Sequence, residues 1–161
     1  MVFIPRDPVS QNQFLKHDST SGTAVAGEII YLSGDQTVAP VSGTGNEPFG
    51  FLLQAVKTEI SGLPTGYRTP ADLGSSDAFV GDPVGVAHLG IYDTTAYVLD
   101  ANKTTFTAGE KLYADITTAK LVNGTTGSVA GAGSPAVAIA QNSLSAAAVT
   151  AGALLRVKLL I

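Results

Sequence analysis

Ala26-Gly27-Glu28-Ile29-Ile30-Tyr31 returns in the second half of the chain as Ala108-Gly109-Glu110-Lys111-Leu112-Tyr113. In each copy the glycine permits a positive-φ turn and the acid caps or solvates it. The alternation that follows turns Ile or Leu inward beside an amphipathic Tyr. Both copies then run through a turn-rich stretch to Thr44-Gly45 and Thr126-Gly127. A Pro-led apolar strand closes each one on Gln: Pro48-Phe49-Gly50-Phe51-Leu52-Leu53-Gln54, and Pro135-Ala136-Val137-Ala138-Ile139-Ala140-Gln141. The second closing strand comes a few residues later, which places an insertion in the intervening loop. Val80-Gly81-Asp82-Pro83-Val84-Gly85-Val86-Ala87 is a weaker relative. Gly-rich β proteins can repeat such turns by chance. The competing reading is two related β units, about 26–57 and 108–141, that share one core because neither alone buries enough apolar surface.

Outward from this echo, turn residues punctuate the chain every ten positions or so. Eighteen Gly and eight Pro alternate with short runs of Val, Ile, Leu, Tyr and Phe. That rhythm predicts an all-β fold, a compact barrel or sandwich of short strands with little helix. The expected strands are Glu28–Leu32, Phe49–Val56, Pro83–Ala87, Ala96–Leu99, Lys111–Asp115, Ala136–Gln141 and Leu154–Ile161. Asn142–Thr150 is the one stretch open to a short helix, and it is balanced there against irregular loop. In the last strand Leu155, Val157, Leu159 and Ile161 share one face and Arg156 and Lys158 the other. Leu154 and Leu160 fall on the polar side and hint at a second covered surface.

Two segments break the rhythm. Residues 1–20 read as an extended N-terminal arm, ahead of a single β domain at 21–161. The arm carries apolar anchors at Phe3, Ile4, Phe14 and Leu15, more than a frayed terminus needs. Ser61–Phe79 reads as a long loop, a kind that is often functional. Its Tyr67-Arg68 pair suits an interface contact.

Composition excludes several classes of function. The chain has 161 residues, 45% hydrophobic and only 14% charged, so it is not a disordered tail. A net charge of -4 with scattered basic residues argues against nucleic acid, whose binders cluster Lys and Arg. Without cysteine there are no disulfides, thiolate metal sites or cysteine nucleophiles. No export signal or membrane span is visible, so a soluble protein made in a cytoplasm is expected.

Catalysis needs tunable groups held together. The two histidines, His17 and His88, have no metal-ligand spacing and read as bystanders. Asp72 with Asp77, or Asp93 with Asp100, would serve glycoside hydrolysis only at a suitable separation. Two of these acids, Asp77 beside Ser76 and Asp93 beside Thr94, sit where Asp caps turns. The Gly-rich runs near 124–133 lack the context of a phosphate cradle. The triplets Asn102-Lys103-Thr104 and Asn123-Gly124-Thr125 read as chance matches to a glycosylation signal. No enzyme, cofactor or metal is expected.

The Ala-Gly-Glu-x-Ile/Leu-Tyr units, the Gly50-Phe51-Leu52-Leu53 strand and the closing Leu155-Arg156-Val157-Lys158-Leu159 carry a resemblance. The chain resembles the small decoration, or cement, proteins of tailed-bacteriophage heads over about residues 20–161, and its arm matches them in character. The resemblance implies a β-barrel or β-tulip body and an arm that runs over the capsid. It also implies assembly as homotrimers, or sometimes dimers, on the major capsid protein of an expanded shell. Phe3, Ile4, Phe14 and Leu15 would fill apolar pockets on that capsid exterior, and no catalytic residues carry over. A phage head-fibre, tail or receptor-binding module is the nearest rival, and a carbohydrate-binding module comes next.

Overall fold

A computed structural model describes residues 1–6, 12–18, 20–58 and 77–161, with only the backbone of residues 12–14. The protein is nearly all β, as the punctuation predicts. Its strands are β1 (Phe3–Pro5), β2 (Asn12–His17), β3 (Ile29–Gly34), β4 (Thr37–Pro40), β5 (Gly50–Leu52), β6 (Val56–Lys57) and β7 (Ala78–Phe79), followed by β8 (Pro83–Ala87), β9 (Ile91–Thr94), β10 (Tyr97–Val98), β11 (Lys111–Ala114), β12 (Leu121–Val122), β13 (Ala138–Ala140) and β14 (Leu155–Leu159). All seven expected segments contain a strand. The short alanine run forms α1 (Ala146–Thr150), whose Ser145 cap accepts from Ala148 N at 3.3 Å.

Strands β2-β4-β3-β5-β8 close into a barrel, which leaves no sheet edge to satisfy. The second sheet runs β1-β9-β14-β13-β11-β12-β10. It curls until one stretch, 91–98, serves both its sides: β9 pairs with β14, and β10 pairs with β12. Several pairings and bonds recur in the two parts. Ile29 and Ile30 pair with Phe51 and Gly50, as Lys111 and Leu112 pair with Ile139 and Ala138. Gly27 N donates to Leu52 O and Gly109 N to Ala140 O, both at 2.7 Å. Ala24 bridges Val56 as Phe106 bridges Leu144. Gln36 and Ala119, at φ 51° and 56°, make the same left-handed step in the two hairpins. The likeness reaches beyond the sequence echo, because β2 lies parallel to β4 as β10 lies parallel to β12.

One shared core is expected, but the buried side chains form two clusters. The period of two divides them. Ile30, Leu52, Val84 and Val86 point into the first barrel with Leu15 and Val38. Their neighbours Ile29, Phe51 and Ala87 point the other way, into a larger cluster with Tyr92, Leu112, Leu155 and Val157. Each fully buried Val, Leu, Ile or Phe among them contributes about 1.5–3 kcal/mol. The first barrel is therefore apolar inside and also on the wall it turns to the second sheet. Across that wall Ile29 N donates to Ala119 O at 2.7 Å.

The arm needs correction. Of residues 1–20, the described stretches 1–6 and 12–18 are built into the body. β2 is a barrel strand held between β4 and β8, and Leu15 is buried in the first core. β1 adds to β9, with Phe3 opposite Thr94 and Pro5 opposite Tyr92. Phe3 is only 9% exposed. Its ring stacks on Tyr92 at 4.3 Å and on Phe51 at 5.7 Å. The physical reason is burial: an aromatic ring beside an apolar wall gains more from that wall than from water. Arg6 and Arg156 both bond the buried Asp93 carboxylate, at 2.6 and 2.9 Å, which ties β1 and β14 to β9.

Candidate functional site

The turn before each Gly-Glu unit is built alike. Asp18 Oδ1 accepts from Thr20 N at 2.8 Å, and Asp100 Oδ1 accepts from Asn102 N at 3.0 Å. Ser21 N donates to Asp18 O, and Lys103 N donates to Asp100 O. Glu28 Oε2 accepts from Val25 N at 3.1 Å, and Glu110 Oε2 accepts from Thr107 N at the same distance. Asp18, Ser21 and Glu28 thus stand where Asp100, Lys103 and Glu110 stand in the second part.

What surrounds these positions differs. In the second part the Lys103 ammonium closes on Glu110 Oε1, and the buried Asn123 donates to Thr105 O at 2.8 Å. Burial pushes the Glu110 carboxyl up, but Lys103 and the neighbouring donors outweigh it and leave its pKa low. In the first part Ser21 is too short to do this, and a cleft of about 440 Å³ opens instead. Asp18, Thr20, Ser21, Thr23 and Glu28 line one side, and Tyr31, Pro40, Ser42 and the 116–119 hairpin line the rest. Burial pushes the Glu28 carboxyl above its usual range, against the Val25 N–H and the field of Lys120. The Thr20 hydroxyl and amide hold Asp18 below its usual range. No histidine lines the cleft, so its hydroxyls face no imidazole base. The cleft is lined by polar groups and two carboxyls.

The residues singled out in the sequence are dispersed. Phe3 and Leu15 face this chain's own cores, and Ile4, opposite Asp93, is exposed. Phe14 lies opposite Gly85 in the barrel backbone, and its side chain lies outside the described residues, as do Tyr67 and Arg68. Asp72 also lies outside them, while Asp77 pairs with Lys57. Asp93 is held below its usual range first by Arg156 and then by Arg6. Asp100 is held low first by the Asn102 amide and then by Thr126, so it caps a turn. Among the described residues no group of three His, Asp or Glu converges as metal ligands. His88 Nδ1 meets Phe49 O at 2.9 Å, with its ring edge-on to Phe49. No described helix is long and apolar enough to cross a membrane.

His17 is more than a bystander. It is fully buried beside Val38, and neither ring nitrogen has a partner among the described residues. Tyr97 holds the matching place on β10 and donates to Ala153 O at 2.6 Å. Burial lowers the His17 pKa, against the weaker pull of Asp18. The unfolded chain therefore takes up this proton more readily. Stability is full above the ordinary imidazole pKa of about 6.5 and falls as pH drops below it toward the folded value. His17→Leu is expected to gain about 1–3 kcal/mol at pH 7 by removing the unmatched nitrogens. It should also flatten the stability curve between about pH 6.5 and 5. Urea titrations at several pH values check both, and an unchanged acid limb would show that His17 is not its source.

No protein-family model matches the chain, and no curated protein is similar enough to count as a relative.

Proposed function

We propose that this chain is a structural virion protein that binds the outer surface of a tailed-phage capsid and cements its capsomer junctions. The observation that carries the reading is the leading strand. β1 ends its sheet, and no described strand pairs with its outer edge. It displays Met1, Val2 and Ile4, which are 51%, 40% and 37% exposed, while Phe3 pins it from beneath. Such an edge binds by main-chain hydrogen bonds, with alternate side chains entering pockets. Leu154 and Leu160, exposed on either side of β14, offer apolar area for contact between copies in a trimer. Many copies on one shell would stabilise the expanded lattice by mass action, with avidity in place of a large single interface.

The arm acts through its outward face, because its inward face belongs to the body. Val2→Ser with Ile4→Ser is expected to leave the fold intact and weaken head binding about tenfold or more, by loss of two apolar contacts. Cosedimentation with emptied, expanded heads of the phage that carries the gene measures this. Wild-type occupancy by the double variant would remove the leading strand from the interface. Failure of the native protein to sediment with any expanded head would end the capsid reading.

A further inference from the structure

The two parts of the chain are each other's control. In the second part the Glu110 carboxylate spends one oxygen on the Thr107 amide and the other on the Lys103 ammonium. In the first part Glu28 makes the same amide contact, to Val25, and its Oε1 has neither hydrogen bond nor ion pair among the described residues. Ser21 replaces the lysine, and the space in front of Glu28 is the cleft. We propose that this cleft binds a primary alkylammonium group, seated on Glu28 where the second part supplies its own Lys103.

Three features support this ligand chemistry. The carboxylate is half-buried, which strengthens a charge-assisted bond relative to one in water. Asp18, on the same wall, is ionised and adds a second negative charge. Thr20, Ser21 and Ser42 supply hydroxyl acceptors for the remaining ammonium protons. Lys120 acts on Glu28 through space without forming an ion pair, and it is the cation against which a ligand competes. The cleft lies apart from the leading strand, and this inference stands whether or not the protein binds capsids. The ammonium can come from a lysine side chain on a partner protein or from a free diamine.

The test is titration of the full chain with n-butylammonium, read by NMR at the glutamate side-chain carboxyl carbons. Saturable movement of the Glu28 signal is expected, with none from 1-butanol. Glu28→Gln should weaken binding about tenfold or more, since a charge-assisted bond is lost. Ser21→Lys should abolish binding and raise the thermal midpoint, because the chain then fills its own cleft. Lys103→Ser should create a second site, seen at the Glu110 carboxyl. Tighter binding of Nα-acetyl-lysine amide than of 1,4-diaminobutane assigns the source to a partner's lysine, and the reverse assigns it to a free diamine. No movement of Glu28, equal binding by Glu28→Gln, or binding only after Lys120→Met would each overturn the proposal. In the last case Lys120 already fills the cleft.

Discussion

Phe3→Ala is expected to cost about 3–5 kcal/mol of stability, the usual range for truncating a buried aromatic ring. For a chain of this size that lowers the thermal midpoint by roughly 10 °C. The ring lies near-parallel to Tyr92 and to Phe51, at interplanar angles of 10° and 13°. Phe51 belongs to the first barrel and Tyr92 to the second sheet, so removing the ring opens a cavity on their common wall. Stacked aromatic pairs add about 0.5–1.5 kcal/mol beyond area burial, and two pairs are lost together. Phe3→Leu should recover much of the loss by refilling the space, though not the stacking. Chemical denaturation of the three proteins measures the series. Under the capsid proposal, the result also decides how the leading strand acts. If Phe3 leaves its slot to enter a capsid pocket, Phe3→Ala would abolish head binding and leave the free protein nearly as stable as before. The buried ring leads to the opposite outcome: a weakened fold, with head binding retained by the molecules that remain folded.

The same geometry explains why the arm reads as separate in the sequence. β2 is Asn12-Gln13-Phe14-Leu15-Lys16-His17, whose two large apolar residues are adjacent instead of alternating. Period-two reasoning passes over it, and its partners are far off in sequence, at Thr37–Val38 and Pro83–Ala87. β14 shows the contrary case. Its alternation is complete, and Leu155, Val157 and Leu159 are buried while Arg156 and Lys158 are exposed. β9 was hidden by Asp93, which reads as a turn residue. Two arginines distant in sequence satisfy it inside the sheet. The cleft was legible in principle. Extending the Gly-Glu echo upstream aligns Asp18 with Asp100 and Ser21 with Lys103. The exchange of lysine for serine in front of a retained glutamate is the signal. Its meaning needs the fold, because only the folded chain brings the 116–119 hairpin to the cleft that Ser21 lines.

The paired glycines test whether the wall between the two parts is a contact that a single atom can disturb. Gly27 and Gly109 have matching backbone, at φ +88° and +86°, so an L side chain is strained equally at both. Their surroundings differ. A Cβ on Gly109 meets nothing within 4 Å, whereas one on Gly27 would lie 2.7 Å from Ala96 Cβ and 3.2 Å from the Phe3 ring. Ala96 is backbone-anchored and buried between β9 and β10, so it has no flexible end to move aside. Gly109→Ala should therefore cost about 1–2 kcal/mol, from the left-handed conformation alone. Gly27→Ala should cost about 2–5 kcal/mol, because overpacking adds to the same strain. Urea unfolding of the two variants gives the difference, in which the common backbone term cancels. A large difference means that the wall is as tightly fitted as a core. Equal losses would mean that the two parts move apart to admit a methyl group, and the Phe3 slot between them would then be a soft seam.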